Sequence, residues 1–348
     1  MNVKNLISRV NSILTFEILR FRTKKYIVKD GYLIDKDTLF YVFVPATDYY
    51  YLPYFQLYQY KNVLVSFSYV NSNEFFLKTI RKTSSNSIYR KYIDVNYDST
   101  KKYVFFFDGK YSWCSKQFRD YLKDRYPGCS IIFHLGDLLS THKNIKIDEI
   151  KDFSDLVVTY DHNDADRNGL TYHTDPFSRI PTKLLNGING KCHLIFYGYA
   201  KDRSKTLLLI YDRMKENGLK CDFGIPDLTE EECSTRPELA NCHFTPYLEY
   251  LGKVQNSDCI LEIIQGGSRG CTFRTWEAVV YNKKLITNNQ SIKEEKFYNP
   301  DYIQVIDSYD SIDFDWLKKK DNVDYGYADK LSPKSCFEYY LSIINKDQ

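Results

Sequence analysis

The sequence lacks the residue patterns of a disulfide framework or of a structural metal site. Its nine cysteines are scattered, form no CxxC pair and are odd in number, and its six histidines form no HxxxH or HExxH motif. This distribution is typical of free thiols in a reducing compartment. We therefore expect a cytoplasmic protein without a structural metal site.

Long apolar runs are missing as well. No window of about 18 residues is apolar throughout, so the sequence predicts no transmembrane helix. Residues 1–29 carry seven basic side chains against Glu17 alone, and Leu6, Val10 and Ile13 share one face at helical spacing. Two interpretations stay open. The segment lies on the anionic inner face of the cytoplasmic membrane, or it is an amphipathic helix packed on the first domain.

The chain also lacks a strong net charge. The formal charge of +3 over 348 residues is too small to indicate a nucleic-acid partner, and no known nucleic-acid-binding module is present. The length is enough for two domains. Aromatic residues make up 16% of the chain, which fits either sugar-stacking surfaces or large aromatic cores.

Strand-like and helix-like segments alternate along the chain. We predict strands where short apolar runs end at Gly, Asp, Pro or Asn, namely 38–46, 61–70, 101–109, 129–137, 155–164, 191–200, 219–225, 258–264 and 283–289. This alternation is typical of parallel sheets covered by helices on both faces. Segment 176–190, rich in Pro and Gly, separates two series, so we predict domains at 1–185 and 186–325. A C-terminal helix in 326–348 could pack back on the first domain.

The stretch GGSRGCTFRTWEA (266–278) concentrates three of the chain's 15 glycines between a predicted strand and a predicted helix. Backbone N–H groups and the helix dipole make such a turn suited to an anion, and glycine lets a phosphate come close. Arg269 and Arg274 add positive charge for phosphate, and Glu277 can accept hydrogen bonds from ribose hydroxyls. These residues predict a nucleoside diphosphate site.

A P-loop, an NAD site and a structural turn are the other interpretations of this stretch. It matches neither GxxxxGK[ST] nor GxGxxG, which argues against a P-loop and against NAD. The remaining alternative is a glycine turn that serves tight packing, with Arg274 and Glu277 as a surface pair.

The segment ILEIIQGGSRGCTFRTWEAVVYNKKLITNN (260–289), followed by KFYNPDYIQVID (296–307), resembles the C-terminal signature of a family of bacterial GT-B glycosyltransferases. This family assembles lipopolysaccharide O-antigen, core or capsular polysaccharide and includes the galactofuranosyltransferase type. Segments 156–173 and 196–207 are similar to two further family motifs, and the chain departs from the pattern at Ser268–Arg269 and Asn168. The signature residues that match are Gln265, Gly270, Thr272, Arg274, Glu277, Ala278, Lys284, Tyr298, Asn299 and Pro300.

The resemblance implies an α/β fold of GT-B type, with two Rossmann-like domains that face each other across a cleft. Ligands of such sheets bind at the carboxyl ends of the strands. The ribose of the donor would contact Glu277. With the nucleotide-sugar as co-substrate, no cofactor and no metal would be required. The donor diphosphate would be held by Gly198, Lys201, Arg203, Gly266, Gly267, Ser268, Arg269, Gly270, Thr272 and Arg274.

The resulting hypothesis is a hexosyltransferase that moves a sugar from a nucleotide-sugar, expected to be a UDP-sugar, to a lipid-linked or oligosaccharide acceptor of a bacterial surface polysaccharide. The alternative is a non-catalytic nucleotide- or glycan-binding protein of the same fold. If transfer inverts the configuration, a base must take the acceptor's proton. The strand exits of the first domain offer Asp108, His134, Asp137 and Asp161. We favour Asp108, at the end of the most apolar strand, and Asp161, in the family-like segment. For each of them the alternative is a cap or turn acid.

Overall fold

The protein is described by a computed structural model, and its chain divides into two units. The first unit consists of Met1–Ser178 and Asp329–Gln348, and the second of Arg179–Ala328. The predicted domain boundaries at residues 185 and 325 stay predictions. The residues that the structure describes are 31–44, 52–67, 93, 96–109, 114–141, 146–185, 190–240, 242–266, 268–327 and 330–346. The basic segment 1–29 lies outside them.

The first unit contains a parallel sheet. Its strands are β1 (Thr38–Val44), β2 (Val63–Phe67), β3 (Lys102–Asp108), β4 (Ser130–Leu135), β5 (Leu156–Thr159) and β6 (Thr171–Tyr172). They lie in the order β2-β1-β3-β4-β5-β6, and every pairing is parallel. The carboxyl ends of the strands therefore share one edge, where Asp108 stands in register with His134.

Aromatic side chains form much of the core of this unit because β3 is an almost unbroken aromatic run. Phe105, Phe106 and Phe107 are fully buried. Phe107 stacks on Phe43 of β1, with ring centroids 4.6 Å apart. Such pairs add to the stabilisation that comes from burial alone. In these strands the aromatic residues therefore build the core.

The helices of this unit correct one strand prediction. Among its described residues before the second unit, these are α1 (Lys116–Arg125), α2 (Ile147–Phe153) and α3 (His162–Asn168). The predicted strand 155–164 ends at Thr159, and α3 begins two residues after Tyr160. Asp161 caps α3 by accepting a hydrogen bond from the Asp164 backbone N–H at 3.0 Å, and Gly169 ends the helix in a left-handed conformation. The N-cap residue therefore marks where the strand segment gives way to the helix, and the glycine marks the end of the helix.

The second unit contains a second parallel sheet. Its strands are β7 (Cys192–Tyr197), β8 (Cys221–Gly224), β9 (Ser257–Glu262), β10 (Lys284–Thr287) and β11 (Ile303–Val305). The order is β11-β10-β9-β7-β8, and each pairing is parallel. Strand β9 thus lies between β7 and β10, so that the carboxyl ends of these three strands are neighbours.

Helices connect the strands of the second unit, and the last helix of the chain belongs to the first unit. The helices of the second unit are α4 (Ser204–Glu216), α5 (Glu230–Ser234), α6 (Tyr247–Gln255), α7 (Phe273–Val280) and α8 (Phe314–Lys318). Helix α9 (Pro333–Ile344) packs Phe337 edge-on against Phe40 of β1, with ring centroids 5.6 Å apart. Within the described residues, no helix is long and apolar enough to cross a membrane.

Candidate functional site

The glycine-rich segment forms the turn between β9 and α7, at the carboxyl edge of the second sheet. Thr272 is the N-cap of α7, and its side chain accepts a hydrogen bond from the Arg274 backbone N–H at 3.2 Å. The N-terminus of a helix carries partial positive charge and attracts anions. The turn therefore has the strand–loop–helix geometry that the sequence predicted for this segment.

Arg274 connects this helix to the end of the neighbouring strand β7. Its guanidinium lies over the ring of Phe196, 4.7 Å from the centroid, and donates a hydrogen bond to the Tyr197 carbonyl oxygen. Its Nε is buried and has no hydrogen-bond partner among the residues that the structure describes. Gly198 lies directly beneath the guanidinium, since a Cβ atom at this position would collide with Nη2. Two predicted site residues, 76 positions apart in the chain, are thus in contact.

Arg203 stabilises the loop that follows β7 through hydrogen bonds to backbone carbonyl oxygens. Its Nε donates to the Ala200 carbonyl oxygen at 3.0 Å and its Nη2 to that of Tyr199 at 2.6 Å, while its Nη1 donates to the carbonyl oxygen of Ile263, which directly follows β9. Burial lowers the pKa of Arg203, and the nearby charge of Arg274 lowers it further. Arg203 therefore holds the ends of β7 and β9 together and adds positive charge beside Arg274.

Lys201 occupies the same loop in a strained conformation. Its φ is +53°, which is unusual for a residue with a side chain. The backbone N–H groups of Ala200 and Lys201 both donate to the Asp227 carboxylate, at 2.7 and 3.0 Å. The two contacts fix the loop, and the Lys201 side chain is exposed.

The glycine loop itself is held at several points. The Ser268 N–H donates to the Gln265 carbonyl oxygen at 3.3 Å, and Arg269 pairs with Glu294 at 3.4 Å in an exposed position. Gly270 is buried, and its carbonyl oxygen accepts a hydrogen bond from Asn289 Nδ2 at 3.1 Å. Gly266 is exposed, with open space where a Cβ atom would be. The predicted site residue Gly267 lies outside the described residues.

Glu277 is buried in α7, with 1% of its surface exposed. Its Oε1 accepts a hydrogen bond from the Tyr247 hydroxyl and its Oε2 one from the Tyr250 hydroxyl, both at 2.7 Å. Burial raises the pKa of Glu277 to about 7, although Tyr250, Arg274 and Tyr247 act in the opposite direction. The surface Arg–Glu pair considered above is thus not what the structure contains. The tyrosines were missed, although their spacing of three places both on one face of α6.

Glu262, the last residue of β9, was also missed. It is fully buried. Its carboxylate accepts hydrogen bonds from three threonine hydroxyls, those of Thr272 at 2.5 Å, Thr275 at 2.7 Å and Thr287 at 2.7 Å. The signal available in the sequence is an acid inside the apolar run DCILEII, because a buried charge requires polar partners.

The two candidate bases lie in the first unit. Asp108 Oδ1 is 2.7 Å from His134 Nδ1, and His134 Nε2 is 2.8 Å from Asp175 Oδ1, with all three side chains buried. Burial opposes the ionisation of His134, but hydrogen bonds and charges from Asp175 and Asp108 outweigh it and raise the pKa of His134 to about 10. Asp161 is the N-cap of α3. In the described part of the chain no cluster of His, Cys, Asp or Glu is arranged to hold a metal ion.

Comparison with known proteins finds similarity in structure but not in sequence. No protein-family profile and no curated protein matches the chain. Among solved structures, an α-glucosyltransferase in complex with UDP-glucose and DNA containing an abasic site is similar over 88% of this chain and 99% of its own, with 11% identity and a TM-score of 0.54. A proposed UDP-N-acetylglucosamine 2-epimerase from Listeria monocytogenes is similar over 90% and 98%, with 8% identity and a TM-score of 0.52. The predicted two-domain α/β Rossmann-like fold of GT-B type is confirmed.

Proposed function

We propose that the protein is a glycosyltransferase that transfers a sugar from a nucleotide-sugar, specifically a UDP-sugar. The observation that carries the proposal is the position of Arg274. Its guanidinium stands at the N-terminal turn of the glycine-loop helix and against the end of β7, beside Gly198. Two strand ends, a helix N-terminus and a partly unpaired guanidinium converge at one place. This combination is suited to a diphosphate.

The diphosphate would be bound by the N-terminus of α7, the glycine loop and the cationic side chains around it. Arg274 would donate directly to a phosphate oxygen, while Arg203, committed to three carbonyl oxygens, would act by its charge. Lys201 and Arg269 are exposed, and we propose that they add positive charge around the bound anion. Positive charge placed in this way stabilises the leaving nucleoside diphosphate. We propose that no metal is needed for this step.

Glu277 would bind the ribose. Each of its oxygens already accepts one tyrosine hydroxyl, and a carboxylate oxygen can accept a second hydrogen bond. The buried and oriented carboxylate would thus recognise the ribose hydroxyls, with Tyr247 and Tyr250 holding it in place. Glu277 lies three residues after Arg274 in α7, so the two side chains project from neighbouring positions of the helix.

For the catalytic base we propose Asp108, with Asp161 as the second candidate. Asp108 lies at the carboxyl edge of the central strand and is linked to His134, whereas an oxygen of Asp161 is engaged in the cap of α3. We expect inversion at the anomeric carbon, and NMR of the first product formed tests this. The Asp108→Asn variant should lose at least about 100-fold in kcat with donor affinity unchanged, whereas Asp161→Asn should lose only a few-fold.

For the acceptor we propose a lipid-linked or oligosaccharide glycan of the bacterial surface. This proposal is supported by the resemblance of residues 155–307 to the polysaccharide-assembling family. The basic segment 1–29 would bring the enzyme to the anionic membrane face. Cosedimentation of the full chain with phosphatidylglycerol vesicles, but not with phosphatidylcholine vesicles, is the expected result. Equal binding to both would contradict it.

Two rival functions make different predictions. A non-catalytic binding protein of this fold would bind UDP yet convert no nucleotide-sugar. An epimerase, the activity proposed for one of the fold neighbours, would convert a UDP-sugar into its epimer without an acceptor. Incubation with a panel of nucleotide-sugars, with and without glycan acceptors, separates these outcomes from transfer when the products are identified by mass spectrometry and NMR.

The central experiment measures nucleotide binding by titration calorimetry with UDP, GDP, CMP and ADP, each with Mg²⁺ or with EDTA. We expect UDP to bind, and EDTA to leave its affinity unchanged. Arg274→Ala should weaken UDP binding at least about tenfold, because a charge-assisted hydrogen bond is lost. Arg213→Ala is the matched control, since Arg213 lies on α4 and contacts Glu216 and Asp310. Equal UDP affinity in both variants would refute the site.

A further inference from the structure

Glu262 is an acidic residue at a place where charge is costly. It ends the apolar strand β9 and has no exposed surface. A buried carboxylate is tolerated only when its oxygens are hydrogen-bonded. Here Oε1 accepts the hydroxyls of Thr272 and Thr275, and Oε2 accepts that of Thr287. The carboxylate is therefore surrounded by hydroxyl donors from α7 and β10.

Two of these hydroxyls also hold the glycine loop. A carboxylate can only accept hydrogen bonds, so each threonine must point its proton at Glu262 and keep its lone pairs for other donors. Thr272 accepts the Arg274 N–H at the start of α7. Thr287 accepts the Asn289 N–H at 3.0 Å, and Asn289 in turn donates to the Gly270 carbonyl oxygen. Because Glu262 takes the hydroxyl protons, the oxygens of Thr272 and Thr287 can only act as acceptors in these two contacts with the backbone.

We propose that Glu262 is a positioning residue that sets the shape of the glycine loop and thereby the geometry of the diphosphate site. The effect on nucleotide binding rests on the proposed function, whereas the effect on the shape of the loop does not. Glu262 does not touch the nucleotide. It acts through Thr272 on the helix N-terminus, and through Thr287 and Asn289 on Gly270, which are two parts of the proposed diphosphate site.

The test uses substitutions that preserve side-chain volume. Glu262→Gln replaces one acceptor oxygen by an amide group that donates hydrogen bonds. The threonines on that side, either Thr272 and Thr275 or Thr287, must then accept instead of donate. Thr287→Val removes the hydroxyl that connects Glu262 to Asn289. Thr275→Val is the matched control, because Thr275 is equally buried and bonds Glu262, but its hydroxyl contacts no loop group among the residues that the structure describes. The affinity for UDP and UMP is measured by calorimetry, and hydrogen exchange of residues 263–272 is measured without ligand.

We expect Glu262→Gln and Thr287→Val to weaken UDP binding at least fivefold, with a smaller loss for UMP, and to speed exchange in the loop. Thr275→Val should stay within twofold of the wild type in both measurements. If Glu262→Gln matches the wild type in both, or Thr275→Val is as impaired as Thr287→Val, the inference is overturned. If Glu262→Gln does not fold, Thr287→Val carries the test. If the wild type binds no nucleotide while the variants still loosen the loop, the proposed function falls and the positioning role stands.

Discussion

The Arg274 guanidinium fills the space directly above the Gly198 backbone, where the side chain of any other residue would lie. Gly198 has a φ of +145°, a conformation that other residues rarely adopt, and a Cβ atom there would collide with the Arg274 side chain. The absence of a side chain at residue 198 is thus what allows Arg274 to reach the Tyr197 carbonyl oxygen. The contact joins the two loops that the proposed diphosphate site needs.

Replacement of Gly198 by alanine should therefore weaken UDP binding in addition to lowering the free energy of unfolding. Gly218→Ala is the control, because Gly218 also has a positive φ, +66°, but has open space around it. Gly218→Ala should cost about 1 kcal/mol of unfolding free energy through backbone strain and leave UDP affinity unchanged. Gly198→Ala should cost more and weaken UDP binding at least about tenfold. Urea unfolding and calorimetry measure the two effects, and similar behaviour of both variants would contradict the contact.

The raised pKa of Glu277 predicts a dependence of stability on pH. Burial moves this pKa from its ordinary value of 4.5 to about 7. Between these values the folded state holds a proton that the unfolded state has lost, so stability falls as pH rises and is constant above about 7. The loss is up to about 3 kcal/mol. In urea unfolding from pH 4 to 8, Glu277→Gln should lack this slope. A slope equal to that of the wild type would show that Glu277 is not protonated in the folded state.

His134 predicts a second dependence, at higher pH. Asp108 and Asp175 raise its pKa to about 10 despite burial. For a base with a raised pKa, the stabilisation is complete below the unfolded value near 6.5 and is lost as pH rises towards 10. His134→Gln should be less stable than the wild type at pH 6, with a smaller loss between pH 6.5 and 10. His173→Gln is the control and should keep the wild-type slope, because burial lowers the pKa of His173 to about 4.

Lys284, a residue of the family-like signature, is expected to stabilise the fold without affecting the nucleotide. Its buried ammonium donates to the carbonyl oxygens of Trp316 and Lys319 at 2.8 and 2.6 Å and pairs with Asp321 at 2.7 Å. Lys284→Met should cost about 3 kcal/mol, because it leaves these acceptors unpaired. Lys318→Met, which removes an exposed pair, should change stability by less than about 0.5 kcal/mol. A loss of UDP affinity in folded Lys284→Met would contradict the assignment.

The local elements of the candidate site were predictable because their signals are local. Three glycines lie within five residues, directly after an apolar run and before a predicted helix, and they predict the turn without reference to the rest of the chain. The end of β5 was predicted wrongly. There the apolar run ends at Tyr160, and the capping residue Asp161 begins α3 within the segment that was assigned to the strand.

The partners of the buried acids could not be predicted in the same way. Glu262 meets Thr287, and Glu277 meets Tyr247 and Tyr250, across 25 to 30 residues of sequence. Which side chains surround a buried carboxylate depends on which strands and helices are neighbours. Spacing along the chain does not contain that information.

The sequence by itself determined the alternation of strands and helices, and with it the two parallel sheets, because the period and length of apolar runs are properties of neighbouring residues. It also determined the glycine turn and the cationic residues on it. Only the tertiary structure decided that β9 lies beside β7, which brings Arg274 to Gly198 and Arg203 to Ile263. Strand order is settled by the packing of whole elements, so contacts between distant segments arise only once the sheet has formed.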